Sequence, residues 1–135
     1  MRKNIGLTFI ELLITLTIIG ILATITYPQY QQYITRTYRT RAIQHLFILS
    51  KAMHSYHWQH HSYLDAKITN LATTNILADK HYHYKIDKLT AETYQLIAVP
   101  QGTQATRDQH CGNLSIDQLG EESISGNSRL HDCWP

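Results

Sequence analysis

Charge of one sign is scarce in this chain: 12 Lys and Arg stand against 10 Asp and Glu, a formal net charge of +2 at pH 7. Arg2 and Lys3 are two of those twelve. Removal of a short N-terminal segment would leave ten against ten, and the net charge would vanish. Composition therefore encodes no strongly basic surface of the kind that grips nucleic acid through its phosphates. Catalytic patterns are missing too. There is no Ser-His-Asp arrangement, phosphate-cradling loop or carboxylate pair, so no enzyme class is indicated and no cofactor is implied. Cysteine is sparse. Cys111 and Cys133 are the two present, which allows one pairing at most. Whether they pair depends on the compartment, which the N-terminus must supply.

What the chain does have is one long apolar block. At 135 residues it holds a single domain, and much of its 43% hydrophobic content sits in LTFIELLITLTIIGILATITY, residues 7–27. As a helix this block spans about 30 Å, the thickness of a bilayer's hydrocarbon core. Only six residues precede it and no A-x-A-like site follows it, unlike a secretory signal. Glu11 lies inside the block, where a carboxylate costs roughly 2.5–3.5 kcal/mol on insertion scales, so a function is the default expectation. The alternative is an interfacial residue reaching the headgroups. Charge counting leaves orientation open, because Arg36, Arg39 and Arg41 beyond the block oppose Arg2 and Lys3 before it.

The run IGLTFIELL resembles the prepilin motif of type IV pilins and pseudopilins, G-F-T-L-I-E. Gly6, Thr8, Ile10 and Glu11 stand at the family positions, and Leu7 and Phe9 exchange the usual Phe and Leu. The resemblance implies an α+β type IV pilin fold: a long N-terminal helix, a small antiparallel sheet on its outer half and a disulfide-bounded C-terminal loop. It implies residues 1–6 as a leader, 7–27 as a transmembrane and filament-core helix, and 28–135 as the periplasmic globular domain. A prepilin peptidase would cut after Gly6 and methylate the new amino group on Leu7. Glu11 would meet the N-terminal ammonium of a neighbouring subunit, offsetting the cost of both charges in an apolar core. Other pilin subunits, the inner membrane and the inner-membrane assembly platform are the implied partners. The N-terminus is implied to be cytoplasmic before assembly, and the mature subunit to reside in an extracellular pilus.

Past the block, Pro28 removes the backbone bond to the carbonyl of Thr24, which predicts a kink. Gly20 and four β-branched residues precede it, weak helix formers in water, and the resemblance to pilins implies that Gly20–Pro28 melts in a filament. The helix is predicted to continue to about Tyr63. Ile34, Tyr38, Ala42, Leu46, Leu49, Met53 and Tyr56 recur at spacings of four and three, a seat for a sheet. Arg36, Arg39 and Arg41 fall on other faces and are expected to be solvated or to touch subunits. His54, His57 and His61 share a helix face, but no carboxylate or cysteine completes a metal site. A histidine-rich polar helix end is the plainer reading, with acid-sensitive contacts as its consequence.

The sheet is expected over about residues 80–135. Alternation predicts strands over Lys80–Leu89, with Tyr82, Tyr84 and Ile86 on one face, and over Thr93–Val99, joined as a hairpin. A third is predicted over Asn113–Leu119, with no helix pattern after it. YQLIAVP, CGNLSIDQLGEESISG and the terminal Cys-Trp resemble the small PilE-like minor pilins of Gram-negative bacteria, which prime assembly. The resemblance therefore implies a minor pilin, with adhesion, twitching motility and DNA uptake as its settings. The major pilin and a secretion pseudopilin are the near alternatives. The C-terminal Cys pair, and the lack of an acidic calcium cluster near it, count against the pseudopilin. A DNA- or surface-binding tip receptor is the reading from a different class. For it Lys80, Lys85, Lys88 and Arg107 offer a modest patch, interrupted by Asp79, Asp87 and Asp108. A Cys111–Cys133 bridge would be worth about 3 kcal/mol on the chain-entropy model.

Overall fold

The computed structural model describes residues 6–135. Most of the leader expected at 1–6 therefore lies outside the described residues. The chain divides into two units, one ending at Ile34 and one running Thr35–Pro135. A single helix, α1, spans Phe9–His60 and belongs to both.

The first unit is the apolar part of α1. Its large side chains, from Leu7 through Ile25, are all exposed. Hydroxyls inside an apolar helix need partners, and here they find them locally. Thr15 and Thr24 donate to carbonyls three residues back, at 2.8 and 2.7 Å, and Thr17 and Thr26 to carbonyls four back, at 2.8 and 2.9 Å. These four threonines thus enter the block without an unpaired hydroxyl, as a lipid environment requires.

The second unit is built on the outer half of α1. Ala42, Leu46, Leu49 and Met53 of the expected stripe are fully buried, and Tyr38 and Tyr56 pack at its ends. The helix stops at His60, short of Tyr63, because His61 turns to φ 55° and caps it. Two short helices follow, α2 (Ile68–Leu71) and α3 (Thr74–Leu77). The sheet has strands β1 (Tyr82–Asp87), β2 (Gln95–Pro100), β3 (Leu114–Asp117) and β4 (Glu122–Ile124), antiparallel in the order β1-β2-β3-β4. Its inner face places Tyr82, Tyr84, Leu96, Ala98, Leu114 and Ile116 on the helix.

β1, β2 and β3 fall on the three runs that alternation marked. β4 and the helical turns α4 (Gly102–Arg107) and α5 (Leu130–Cys133) do not, and the expectation of no helix after the sheet is corrected. A three-residue strand and turns of four to six residues are too short to show a period. The C-terminal loop is closed by the Cys111–Cys133 disulfide, 22 residues apart in sequence. It is drawn tight at Gly126, where a Cβ would stand 2.0 Å from the carbonyl oxygen of His110. Trp134 turns inward: it is buried, its Nε1–H donates to the carbonyl of Ser123 at 3.3 Å, and its ring meets the edge of Phe47.

Candidate functional site

The motif residues at the N-terminus have a local physical logic. Thr8 stands just before α1, and its Oγ1 accepts the backbone N–H of Glu11 at 3.3 Å. That is an N-cap satisfying one orphan donor of the first turn, and T-x-x-E is the capping-box spacing. Glu11 therefore lies in the first turn, at the positive end of the helix dipole, which favours its carboxylate. Gly6 has open space around it and precedes the helix, and Leu7 is exposed. α1 runs through Gly20 and Pro28 without interruption. In the sequence Thr8 is one letter of the family motif; the cap gives it a job.

In the second unit Arg39 overturns its expectation. It is buried, with 11% of its side chain exposed. Its Nη1 donates to Asp108 Oδ1 and to Cys111 Sγ, the latter at 3.0 Å. Asp108 Oδ2 accepts from the Tyr82 hydroxyl at 3.1 Å and from Gln104 Nε2 at 3.2 Å, while Gln104 Nε2 also donates to the Thr35 carbonyl. Burial pushes the Asp108 carboxyl up, and the Arg39 charge and the three donors pull it back. The network ties α1 to α4 directly beneath the disulfide. Its sequence signal is slight, because nothing in Arg36, Arg39 and Arg41 distinguishes the one whose helix angle faces the sheet. Arg36 and Arg41 are exposed as expected.

Asp79 is spent inside as well. Its Oδ1 accepts the backbone N–H of His81 (2.8 Å) and Tyr82 (3.3 Å), and its Oδ2 accepts the Tyr84 hydroxyl at 3.0 Å. His45 Nδ1 lies 2.8 Å from the Tyr84 oxygen and 3.3 Å from Asp79 Oδ2. Because Tyr84 gives its proton to the carboxylate, His45 Nδ1 is the donor to the Tyr84 oxygen. Burial lowers the His45 pKa, with Asp79 opposing. Burial raises the Tyr82 and Tyr84 hydroxyls, so both stay protonated donors.

The candidate metal histidines are engaged elsewhere. His54 places Nδ1 3.2 Å from the Tyr63 hydroxyl and Nε2 3.4 Å from that of Tyr94. His57 lies against the Tyr63 ring, with Nε2 3.8 Å from Glu92, and His61 caps the helix. Among the described residues no three of His, Cys, Asp and Glu converge.

Burial changes the charge the surface carries. Residues 35–135 hold ten Lys and Arg, of which Arg39 alone is buried. Of their nine carboxylates, Asp79 and Asp108 have side chains only 4% exposed. Nine outward cations then face seven outward anions. Lys80, Lys85, Lys88 and Arg107 are all exposed, and Asp87 is the one of their three interrupting acids that reaches solvent.

Two family models match this chain. Residues 28–115 match "Type IV minor pilin ComP, DNA uptake sequence receptor", and residues 1–27 match the prokaryotic N-terminal methylation motif. The chain belongs to the ComP family of type IV minor pilins. The methylation motif marks this minor pilin for prepilin-peptidase processing and pilus assembly. Its apolar helix and methylation motif fit inner-membrane anchoring before assembly into an extracellular pilus. The families matched are pilin structural subunits, which are not enzymes, and the major-pilin and pseudopilin readings are not favoured. Among curated relatives, a fimbrial protein of Pseudomonas aeruginosa is 49% identical over 55 residues, 41% of this chain and 36% of that protein. Fimbrial protein Q of Moraxella bovis is 48% identical over 46 residues, 34% of this chain and 29% of that one. The chain thus spans about a third of the length of the curated relatives it matches. Among solved structures, the non-core minor pilin PilV of Neisseria meningitidis superposes with a TM-score of 0.58 at 18% identity. That match covers 73% of this chain and 94% of PilV, and it is a likeness of fold.

Proposed function

We propose that this minor pilin enters the filament through the apolar part of α1 and displays a DNA-contacting head. Entry follows cleavage after Gly6 and methylation of Leu7. Glu11, capped into the first turn, then pairs with the terminal ammonium of a neighbour on the assembly platform. Gly20–Pro28 is the stretch that melts in the filament, since it loses one helix bond at Pro28 and is poor in helix formers. Incorporation of this kind promotes pilus formation, so deletion lowers pilus number.

The DNA role rests on one observation. Two of the three carboxylates that break up the Lys80, Lys85, Lys88 and Arg107 set in sequence are turned into the core, which leaves the outward set predominantly cationic. The description of the family as a DNA uptake sequence receptor supports the same reading. The test is binding of the full chain in detergent micelles to labelled double-stranded DNA across a salt series. Affinity should fall steeply with salt, by about 0.9 log unit per log unit of salt for each phosphate contacted. Lys85→Ala with Lys88→Ala should weaken binding and flatten that slope. No binding at low salt, or a slope untouched by the two substitutions, refutes the DNA role and leaves the assembly role standing.

A further inference from the structure

Both outer strands of the sheet have an unpaired edge: β4 is acidic at Glu121 and Glu122, and the groove beside β1 has Lys67 and Lys85 in its lining. The register fixes which backbone groups face out. Gln101 donates to the His81 carbonyl at 2.9 Å, so His81, His83, Lys85 and Asp87 are the positions that bond to β2. By antiparallel alternation the N–H and C=O of Tyr84 and Ile86 point away from the sheet. Likewise Asp117 donates to the Glu121 carbonyl and Ser125 to that of Asn113, so Glu122 and Ile124 are the outward positions of β4. Among the described residues, no backbone bond joins these four positions to any loop.

The β1 edge is not bare surface. A groove of about 450 Å³ lies along it, with Tyr84 and Ile86 in its floor and Ile68, Ile76 and Leu77 in its wall. Lys67 and Lys85 stand at its rim, both exposed. An acyl chain would match the wall but leave the floor's peptide groups unpaired, whereas an extended polypeptide satisfies both. β4 is such a segment. It is acidic at Glu121 and Glu122, apolar at Ile124, and its two outward residues repeat the spacing of Tyr84 and Ile86, about 7 Å.

We infer that the β4 edge of one copy of this chain docks in the β1 groove of a second copy and extends the sheet between subunits. Alternation sets the side-chain partners. Glu122 and Ile124 face the groove wall and Lys67, while Glu121, on the other face, meets Lys85. The contact uses different surfaces on the two subunits and so is head-to-tail. Lysine on an edge strand is also a common guard against pairing. An acidic partner edge converts that guard into selection.

The test mixes two full-length variants in detergent micelles under mild oxidation, each with one cysteine added beside the native Cys111–Cys133 disulfide, Lys85→Cys in one and Glu121→Cys in the other. The expected result is a disulfide heterodimer that forms at least tenfold faster than from Thr103→Cys with Glu121→Cys, since Thr103 lies in α4, outside the groove. Lys67→Glu in the first chain should slow it severalfold, and Glu122→Lys in the second should restore it. Near-ultraviolet circular dichroism confirms that each variant is folded. Equal rates for the two cysteine pairs, or charge reversal without effect, overturn the inference and leave Lys67 and Lys85 as edge guards.

Discussion

Replacing Arg39 by alanine leaves the Asp108 carboxylate in place but takes its cation away. The two side chains are 11% and 4% exposed, so water does not screen what is lost. Breaking one partner of a buried pair costs about 3–5 kcal/mol, since the remaining charge is uncompensated. Asp108 keeps the Tyr82 hydroxyl and Gln104 Nε2 as donors, which places the cost at the low end, about 3 kcal/mol. For a head of this size that lowers the midpoint by very roughly 15 °C. The pH dependence carries the specific signature. Burial already raises the Asp108 pKa against the pull of Arg39, and without Arg39 it rises further. The variant's folded state then holds a proton that its unfolded state releases near the usual aspartate value of about 3.9. The variant therefore loses stability relative to the native chain as pH climbs above 4, and the gap is smallest in acid. Thermal unfolding of full-length protein in micelles at pH 4.5 and 7, followed by Trp fluorescence, reads both numbers. The double substitution Arg39→Met with Asp108→Leu should recover most of the loss, because no charge is left buried. A single-variant cost under 1 kcal/mol, or a cost equal at both pH values, refutes the buried-pair account.

Glu11→Ala should still reach the inner membrane but drop out of sheared pili. Immunoblots of both fractions decide it, and normal incorporation would sink the charge-pair role. His45 has its pKa lowered by burial, so the folded state resists a proton that the unfolded chain accepts near pH 6.5. Head stability should thus decline as pH falls below about 6.5, and His45→Gln should flatten that part of the curve. Cys111→Ser with Cys133→Ser should cost about 3 kcal/mol, seen as a lower denaturation midpoint. An unchanged midpoint would show that the Gly126 approach and the buried Trp134 hold the loop by themselves.

Much of this molecule was determined by sequence alone. The apolar block, Glu11 and the prepilin motif are contiguous, and their chemistry follows from neighbours in the chain. The α1 stripe and the first three strands carry periods long enough to read, because one face of each is buried. Two cysteines admit one bridge. The interior of the head was decided only by tertiary structure. Arg39 looks like Arg36 and Arg41 until α1 is set against α4, and then its helix angle points it at Asp108. Asp79 and Asp108 read as surface charges interrupting a lysine set until hydrogen-bond donors from distant residues gather on them. Trp134 had no direction until the disulfide held the end of α5 in place and its ring met Phe47. Net charge is a property of composition, but which charges face water is settled by burial. That difference turned a formally balanced chain into a head whose outward face leans cationic.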